Sequence, residues 1–482
     1  MIKRWVYVAL AFGLGMSAMS CENQKFNDVK VDVDRVHVDE LSPEMIKVRD
    51  YVPEYAVIAH RGSTFWTPEE TESAYRWARE IGADYLECDM QVSKDVLALH
   101  DDNLKRTTNI ETVFGETLPR EIRKNYYMKI GYSETEAEEK VKADEANFVP
   151  NLPAYYTYEE LLMLDAGSWF NNENLEEALP GLAKEKQYIS TLEDLIMYSK
   201  GYRLIRDRNQ PGMPRQYSIV GKTGETITSL SGTADIVKYD FGYEIDPVWE
   251  AGNKNIPGIY IEFKEPWLNP KGFEQIVYDV LANTQDMNII EKPEPEDTPF
   301  YINNGTINVG NTNGKVILQT FSLESLVRVA EVFQGKVPMC FLLWKGTGAT
   351  DLTYDDPLGY ASFINLGVKY KAHFIGPCIA GAPNDYPELD QPWQDYLIHR
   401  AKMKNHPYTF DTYDQMAKYF GQYNFGVADG MFNPPYLDAL FTNHSDMSIN
   451  YMITHGWRKS PASQTLVDAR EVLRKLGYLD NN

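Results

Sequence analysis

The sequence predicts an α/β fold, a (β/α)8 barrel carrying insertions, and three observations point to it. The stretch Ala56–Arg106 reads as strand, loop, helix, strand, turn, strand: a βαβ unit with polar residues at its strand ends. Later apolar runs, Val316–Phe321 and Val337–Trp344, flank a helical pattern over Leu323–Phe333. The 482 residues could hold more than one domain, but a single barrel with insertions reaches this length.

The first unit sets the pattern. Ala56–His60 is a short apolar strand ending in His-Arg-Gly. Pro68 sits where a helix would begin, because its fixed φ and missing N–H suit a first turn. Glu69, Glu70 and Glu72 would complement the dipole there. Ala74, Trp77, Ala78 and Ile81 form a core-facing stripe, and Gly82 is a stop. Tyr85–Val92 then alternates, and Val96–His100 is the next strand.

Glu87 and Asp89 are two apart, so both carboxylates project from one face of a strand while Cys88 points the other way. A two-residue turn at Lys94-Asp95 would pair Ser93 with Val96 and put Asp89 opposite His100. Right-handed crossover places the strand ending in His60 next door. Taken singly, a His is most often a satisfied side chain and two acids on a strand a solvated face. Two His, an Arg and two acids at adjacent strand ends are harder to explain structurally, because buried charges need partners.

These residues resemble the glycerophosphodiester phosphodiesterase family. The chain's HRG, PEET, GADYLECDMQVSKD and LALHDDNLKRTT stand against that family's HRG, PENT, GAD-x-[IL]-E-x-D-[VM]-x-x-[ST]-K-D and a strand ending in HD before R-T-T. Glu70 departs from the usual Asn. LDAGSWF at Leu164–Phe170 and Ile189–Leu195 match two further stations, with Thr191 an N-cap and Asp194 three residues on. Gly258–Lys264, GIYIEFK, puts Glu262 and Lys264 on one face of a strand. Tyr408-Thr409-Phe410 and Gly426–Pro434 are taken as the last two strand stations, usually WTVN and GVDGIITDxP. The resemblance covers roughly Tyr55–Leu440, broken by insertions at Asn109–Glu160 and Tyr198–Pro257. Within the second, Gly221-Lys222-Thr223 lacks the upstream glycine and following helix of a phosphate-binding loop.

The domain reading is a signal segment over 1–21, a tether over 22–50, the barrel over 51–445 and a C-terminal extension over 446–482, with a terminal helix at Ser463–Leu476. Lys3 and Arg4 precede an apolar run, Trp5–Met16, too short to span a bilayer, and small residues lead into Cys21. This resembles a bacterial lipoprotein signal with Cys21 lipidated, and implies a protein anchored in the cell envelope outside the cytoplasm. Cys88, Cys340 and Cys378 lie in or beside apolar runs and read as buried free thiols.

A formal charge of −23 argues against nucleic acid as a partner and against a broad electrostatic grip on anionic membrane, leaving the lipid anchor as the membrane contact. A phosphate substrate in so acidic a chain implies a local positive site. Glu87, Asp89 and Glu262 form an all-oxygen set suited to one divalent cation, Mg²⁺ or Ca²⁺. With the resemblance this implies hydrolysis of small-molecule glycerophosphodiesters to glycerol 3-phosphate and an alcohol. Arg61 and Lys264 would hold phosphate charge, and His60 and His100 would share acid and base work. The Tyr-rich insertions are expected to fold over the barrel mouth and select the alcohol. The alternatives are a phospholipase D- or sphingomyelinase D-like lipid phosphodiesterase, a metal-dependent sugar isomerase, which leaves Arg61 and Lys264 unexplained, and a non-catalytic surface binding lipoprotein.

Overall fold

Alternating apolar runs in this chain pair in sequence order, which is what parallel strands with short crossovers do. In the computed structural model, residues 33–93, 95–229, 232–265, 267–284, 286–302, 306–344, 353–421, 435–458 and 466–480 are described. Among them, eight parallel strands make the barrel: β1 (Ala56–Ala59), β2 (Tyr85–Val92), β3 (Gly258–Phe263), β4 (Val316–Thr320), β5 (Met339–Leu343), β6 (Phe374–Pro377), β7 (Lys404–Asn405) and β8 (Ala439–Thr442). From β1 to β7 each pairs with the next, and β8 pairs with β1, with Ala56 opposite Ala439. The continuation of β7 closes the ring through a parallel bridge from Phe410 to Thr442. The fold is the (β/α)8 barrel that the sequence predicts.

Eight helices cover the strands: α1 (Glu72–Ile81), α2 (Leu192–Ser199), α3 (Phe273–Asn283), α4 (Leu323–Phe333), α5 (Pro357–Lys369), α6 (Pro392–Arg400), α7 (Tyr413–Tyr419) and α8 (Ser445–Thr454). The stripe Ala74, Trp77, Ala78 and Ile81 of α1 is buried, and Gly82 caps the helix in the left-handed region. Burying each large side chain of such a stripe contributes roughly 1.5–3 kcal/mol. Thr191 caps α2, with Asp194 completing the reciprocal pair. Cys88, Cys340 and Cys378 are buried free thiols.

Four local readings change. Helix α1 starts at Glu72 behind a Thr71 cap, not at Pro68, so Glu69 and Glu70 precede it and are buried. The hairpin after β2 pairs Val92 with Val96, which shifts the register by one and puts Leu99, not His100, opposite Asp89. The last strand is β8 at Ala439–Thr442; the Gly426–Pro434 stretch lies outside the described residues. The barrel wall also extends to Thr454, because α8 follows β8 directly.

The segment read as a tether is packed from Val33 onwards. Val33, Val38 and Leu41 are buried, Arg400 donates to the Val33 carbonyl at 2.7 Å, and Leu41 N–H donates to the Ala401 carbonyl at 2.9 Å. A helix at Pro43–Arg49 follows, and Arg49 donates to the Lys402 carbonyl. Ala401 and Lys402 follow the C-terminal end of α6, so this strap lies across the end of the barrel where strands begin.

Both insertions pack on the barrel's flank. In the first, helices at Arg120–Lys129 and Glu134–Asn147 form a pair pinned by buried Arg123 against Glu160. In the second, strands Tyr202–Leu204 and Tyr243–Ile245 pair, and a long hairpin joins Tyr217–Ser229 to Gly232–Phe241. Asp246, fully buried, accepts from Arg76 Nε at 2.7 Å and Arg79 Nη2 at 2.6 Å on α1. Arg215 reaches both Asp194 oxygens, at 2.9 and 2.8 Å.

Candidate active site

The C-terminal ends of the strands carry the polar residues, as is usual for such barrels. After β1 the backbone turns through three successive positive-φ residues: Arg61 at 51°, Gly62 at 82° and Ser63 at 70°. Such strain persists where the surroundings over-determine it. A Cβ on Gly62 would come within 2.6 Å of Ala74 Cβ, so only glycine fits. The turn aims the Arg61 N–H at Glu87 Oε2, 2.8 Å away, and leaves the Arg61 side chain over Asp89, with Nε to Oδ2 at 2.9 Å.

Glu87 and Asp89 on β2 and Glu262 on β3 project from adjacent strands, with Asp89 in register with Glu262. One oxygen of each lies within 4.8 Å of the others, and all three are buried. Lys264 Nζ lies 3.0 Å from Glu262 Oε1 and 3.9 Å from Asp89 Oδ1. Burial, then Asp89 and Glu262, push the Glu87 carboxyl well above its usual range. Burial raises Glu262 to about 8, with Lys264 opposing and Asp89 adding to the rise. For Asp89, burial is more than offset by Lys264 and Arg61, which hold its carboxyl below the usual range.

Three mutually repelling buried carboxylates fit a bound cation. One further atom supports that fit: Gln319 Oε1 is buried without a hydrogen-bond partner. Gln319, on β4, donates to Glu87 Oε1 at 2.8 Å and so presents its own carbonyl oxygen beside the cluster.

His60 and His100 line the same pocket as Arg61, Glu87, Glu262 and Lys264, while Asp89 lies beneath Arg61 and Lys264. Their surroundings differ. His60 Nδ1 meets Asn443 Oδ1 at 2.7 Å, and burial, reinforced by Arg61, lowers its pKa to about 3. His100 Nδ1 meets Asp101 Oδ1 at 2.6 Å. Arg106 grips Asp101 at 2.6 Å and both oxygens of Glu69 at 2.9 and 2.6 Å, and Glu69 lies 3.7 Å from Arg61. His100 is thus tied to the phosphate-binding candidate Arg61 through one charged chain, whereas His60 is held by a neutral amide.

Sequence reasoning brought together His60, Arg61, Glu87, Asp89, His100, Glu262 and Lys264, and the structure places all seven at one mouth. Cys21 lies outside the described residues. Asn443 was missed because the eighth strand was placed too early; Leu437-Asp438-Ala439-Leu440-Phe441-Thr442-Asn443 is the stretch that carries the sought pattern. Gln319 was legible only as alternation in VILQTF. Glu69 and Arg106 stood in quoted motifs without a role. Glu70 accepts from Asp89 N–H at 2.9 Å and from Tyr75 at 3.2 Å, so the departure from Asn adds a fourth carboxyl beside the cluster. Among the described residues, the insertions do not line the mouth, and the far wall comes from Phe321, Trp344, Tyr386, Tyr408 and Thr409, at and after β4 to β7.

Residues 60–211 match the model of the glycerophosphoryl diester phosphodiesterase family. A mouse glycerophosphoinositol inositolphosphodiesterase is 28% identical over 202 residues, 39% of this chain and 32% of its own length. A Bacillus subtilis glycerophosphodiester phosphodiesterase is 28% identical over 141 residues, 29% of this chain and 34% of its own. The chain therefore spans only about a third of the length of these curated relatives. An Oleispira antarctica phosphodiesterase, solved in complex with its product sn-glycerol-3-phosphate, aligns with a TM-score of 0.40 at 16% identity, covering 81% of this chain and 94% of that one. The matched segment holds the ends of β1 and β2, with His60, Arg61, Glu87, Asp89 and His100, and by that match this chain carries a (β/α)8-barrel domain of the glycerophosphoryl diester phosphodiesterase family.

Proposed function

We propose that the chain hydrolyses small glycerophosphodiesters to glycerol 3-phosphate and an alcohol with one divalent cation, Mg²⁺ or Ca²⁺, held by Glu87, Asp89 and Glu262. The observation that carries this reading is the convergence of those three carboxylates with two His, an Arg and a Lys at one barrel mouth. When bound, the cation would neutralise phosphate charge and favour ionisation of the attacking hydroxyl or water. Arg61, donating to Glu87 through its backbone and lying over Asp89, offers its remaining guanidinium N–H groups to a phosphate oxygen. Lys264 adds a second positive charge on the β3 side.

The two His divide the proton work. His60, neutral and with Nδ1–H donated to Asn443, presents Nε2 as the base that takes a proton from the attacking hydroxyl. His100, with the carboxylate of Asp101 beside it as counter-charge, gives a proton to the leaving alcohol oxygen. The test is to incubate the purified soluble protein with glycerophosphocholine, with and without chelator, and to follow glycerol 3-phosphate. No chelator-sensitive release from any glycerophosphodiester would sink the proposal.

We also propose that Cys21 is lipidated after removal of residues 1–20, anchoring the protein in the envelope of a bacterial cell. Among the described residues, no helix is long and apolar enough to cross a membrane. Metabolic labelling with a fatty acid, lost in Cys21→Ala, tests this; label retained in that variant would refute it.

A further inference from the structure

The pocket has two unlike walls. Charge sits on the side built by β1 to β3, whereas the opposite side is aromatic. Trp344 and Tyr386 meet at right angles, centroids 4.7 Å apart and planes at 77°. Phe321 and Tyr408 make a second such corner at 5.7 Å and 87°, and Tyr386 lies 6.4 Å from Tyr408. All four rings are half-buried, so each keeps part of its surface in the pocket. The Tyr408 hydroxyl is committed, donating to the Leu343 carbonyl at 3.0 Å. This wall therefore presents mainly ring surface.

That composition discriminates among alcohols. A polyol such as glycerol or inositol, or a primary ammonium, would leave O–H or N–H groups unpaired against the rings. A quaternary ammonium has no such groups to lose and is attracted to aromatic faces. Tyr386 joins the two ring corners, packing against both Trp344 and Tyr408. We propose that the Trp344–Tyr386–Tyr408–Phe321 wall is a subsite for a quaternary ammonium, making choline the preferred leaving alcohol. This rests on the phosphodiesterase reading above.

The experiment has a catalytic and a binding arm. Steady-state kinetics compare glycerophosphocholine with the ethanolamine, inositol and glycerol diesters and with lysophosphatidylcholine. The choline diester should be favoured over ethanolamine in kcat/KM by about tenfold, mostly through KM, the size expected of desolvated cation–π contact. Trp344→Ala should bring that ratio near one, and Trp344→Phe should restore most of it. Faster cleavage of lysophosphatidylcholine with the same ring dependence would support the subsite and make a lipid the source of the choline. In the binding arm, calorimetric titration with tetramethylammonium should show binding to the unmodified protein and about tenfold weaker binding to Trp344→Ala and to Tyr386→Ala. Equal ratios for all diesters, or a choline preference and tetramethylammonium binding that both survive ring removal, would overturn the inference. If no diester is cleaved, the activity proposal falls while the titration still decides the subsite.

Discussion

The His60 ring is held by Asn443: Nδ1 and Oδ1 are 2.7 Å apart, joining the end of the first barrel strand to the residue just after the last. The carbonyl oxygen of a neutral amide fixes the ring and its tautomer without supplying charge, which suits a group that must start the reaction unprotonated.

Asn443→Ala should lower kcat about 10–100-fold, the usual effect of losing a group that orients a working His. Asn443→Asp should act differently. A carboxylate there raises the His60 pKa from its depressed value of about 3, so the base stays protonated to a higher pH. The acidic limb of the kcat/KM profile should then move to higher pH. An unmoved limb would show that His60 is not the base.

Glu87→Gln and Glu262→Gln should each abolish activity while circular dichroism and the melting profile stay native. Removing one of three crowded carboxylates relieves repulsion in the metal-free protein but takes away an oxyanion ligand. Full turnover in either variant, or in chelator, would rule out a metal at this cluster.

His60→Ala and His100→Ala should each reduce kcat by about two to four orders of magnitude. The double variant should be little worse than the poorer single one, because acid and base act on one displacement. Near-normal turnover in either single variant would mark that His as structural.

Asp246→Asn should destabilise the fold by about 3–5 kcal/mol, because it leaves Arg76 and Arg79 buried without their carboxylate. Asp246 is depressed to about 2: burial works against its charge, but Arg76 and Arg79 outweigh it. A carboxyl depressed on folding stabilises above its unfolded pKa and loses that contribution as pH falls through its folded value. Urea unfolding should therefore show a wide gap between native protein and variant at pH 6, narrowing as pH drops towards 2. A pH-independent gap would assign the loss to packing.

What the sequence revealed was set by residue spacing. Glu87 and Asp89, two apart on a strand, had to share a face, and Glu262 and Lys264 repeated the arrangement; His60, Arg61 and His100 stood out in the motifs at the ends of neighbouring strands. The hairpin after β2 was misread by one residue because a loop of two and a loop of three both fit Ser93–Val96. Asn443 escaped because Gly426–Gly430 also resembles the start of the sought pattern and comes first in the chain; pairing with β1 identifies Ala439–Thr442 as the strand. Glu69 and Arg106 are 37 positions apart, and their ion pair is a property of the folded loops alone. The insertions misled through composition: Tyr158, Tyr243 and Tyr217 hydrogen-bond with Arg215, Asp194 and Glu159, which do not line the pocket.

The strap that packs from Val33 onwards also bears on orientation. It crosses the floor of the barrel, held by Arg400 and Ala401, so the chain enters the domain at the end opposite the pocket. If Cys21 is lipidated as proposed, the anchor would approach from that floor. Diesters would then reach the pocket from the surrounding fluid, and products would return to it, on the side away from the bilayer.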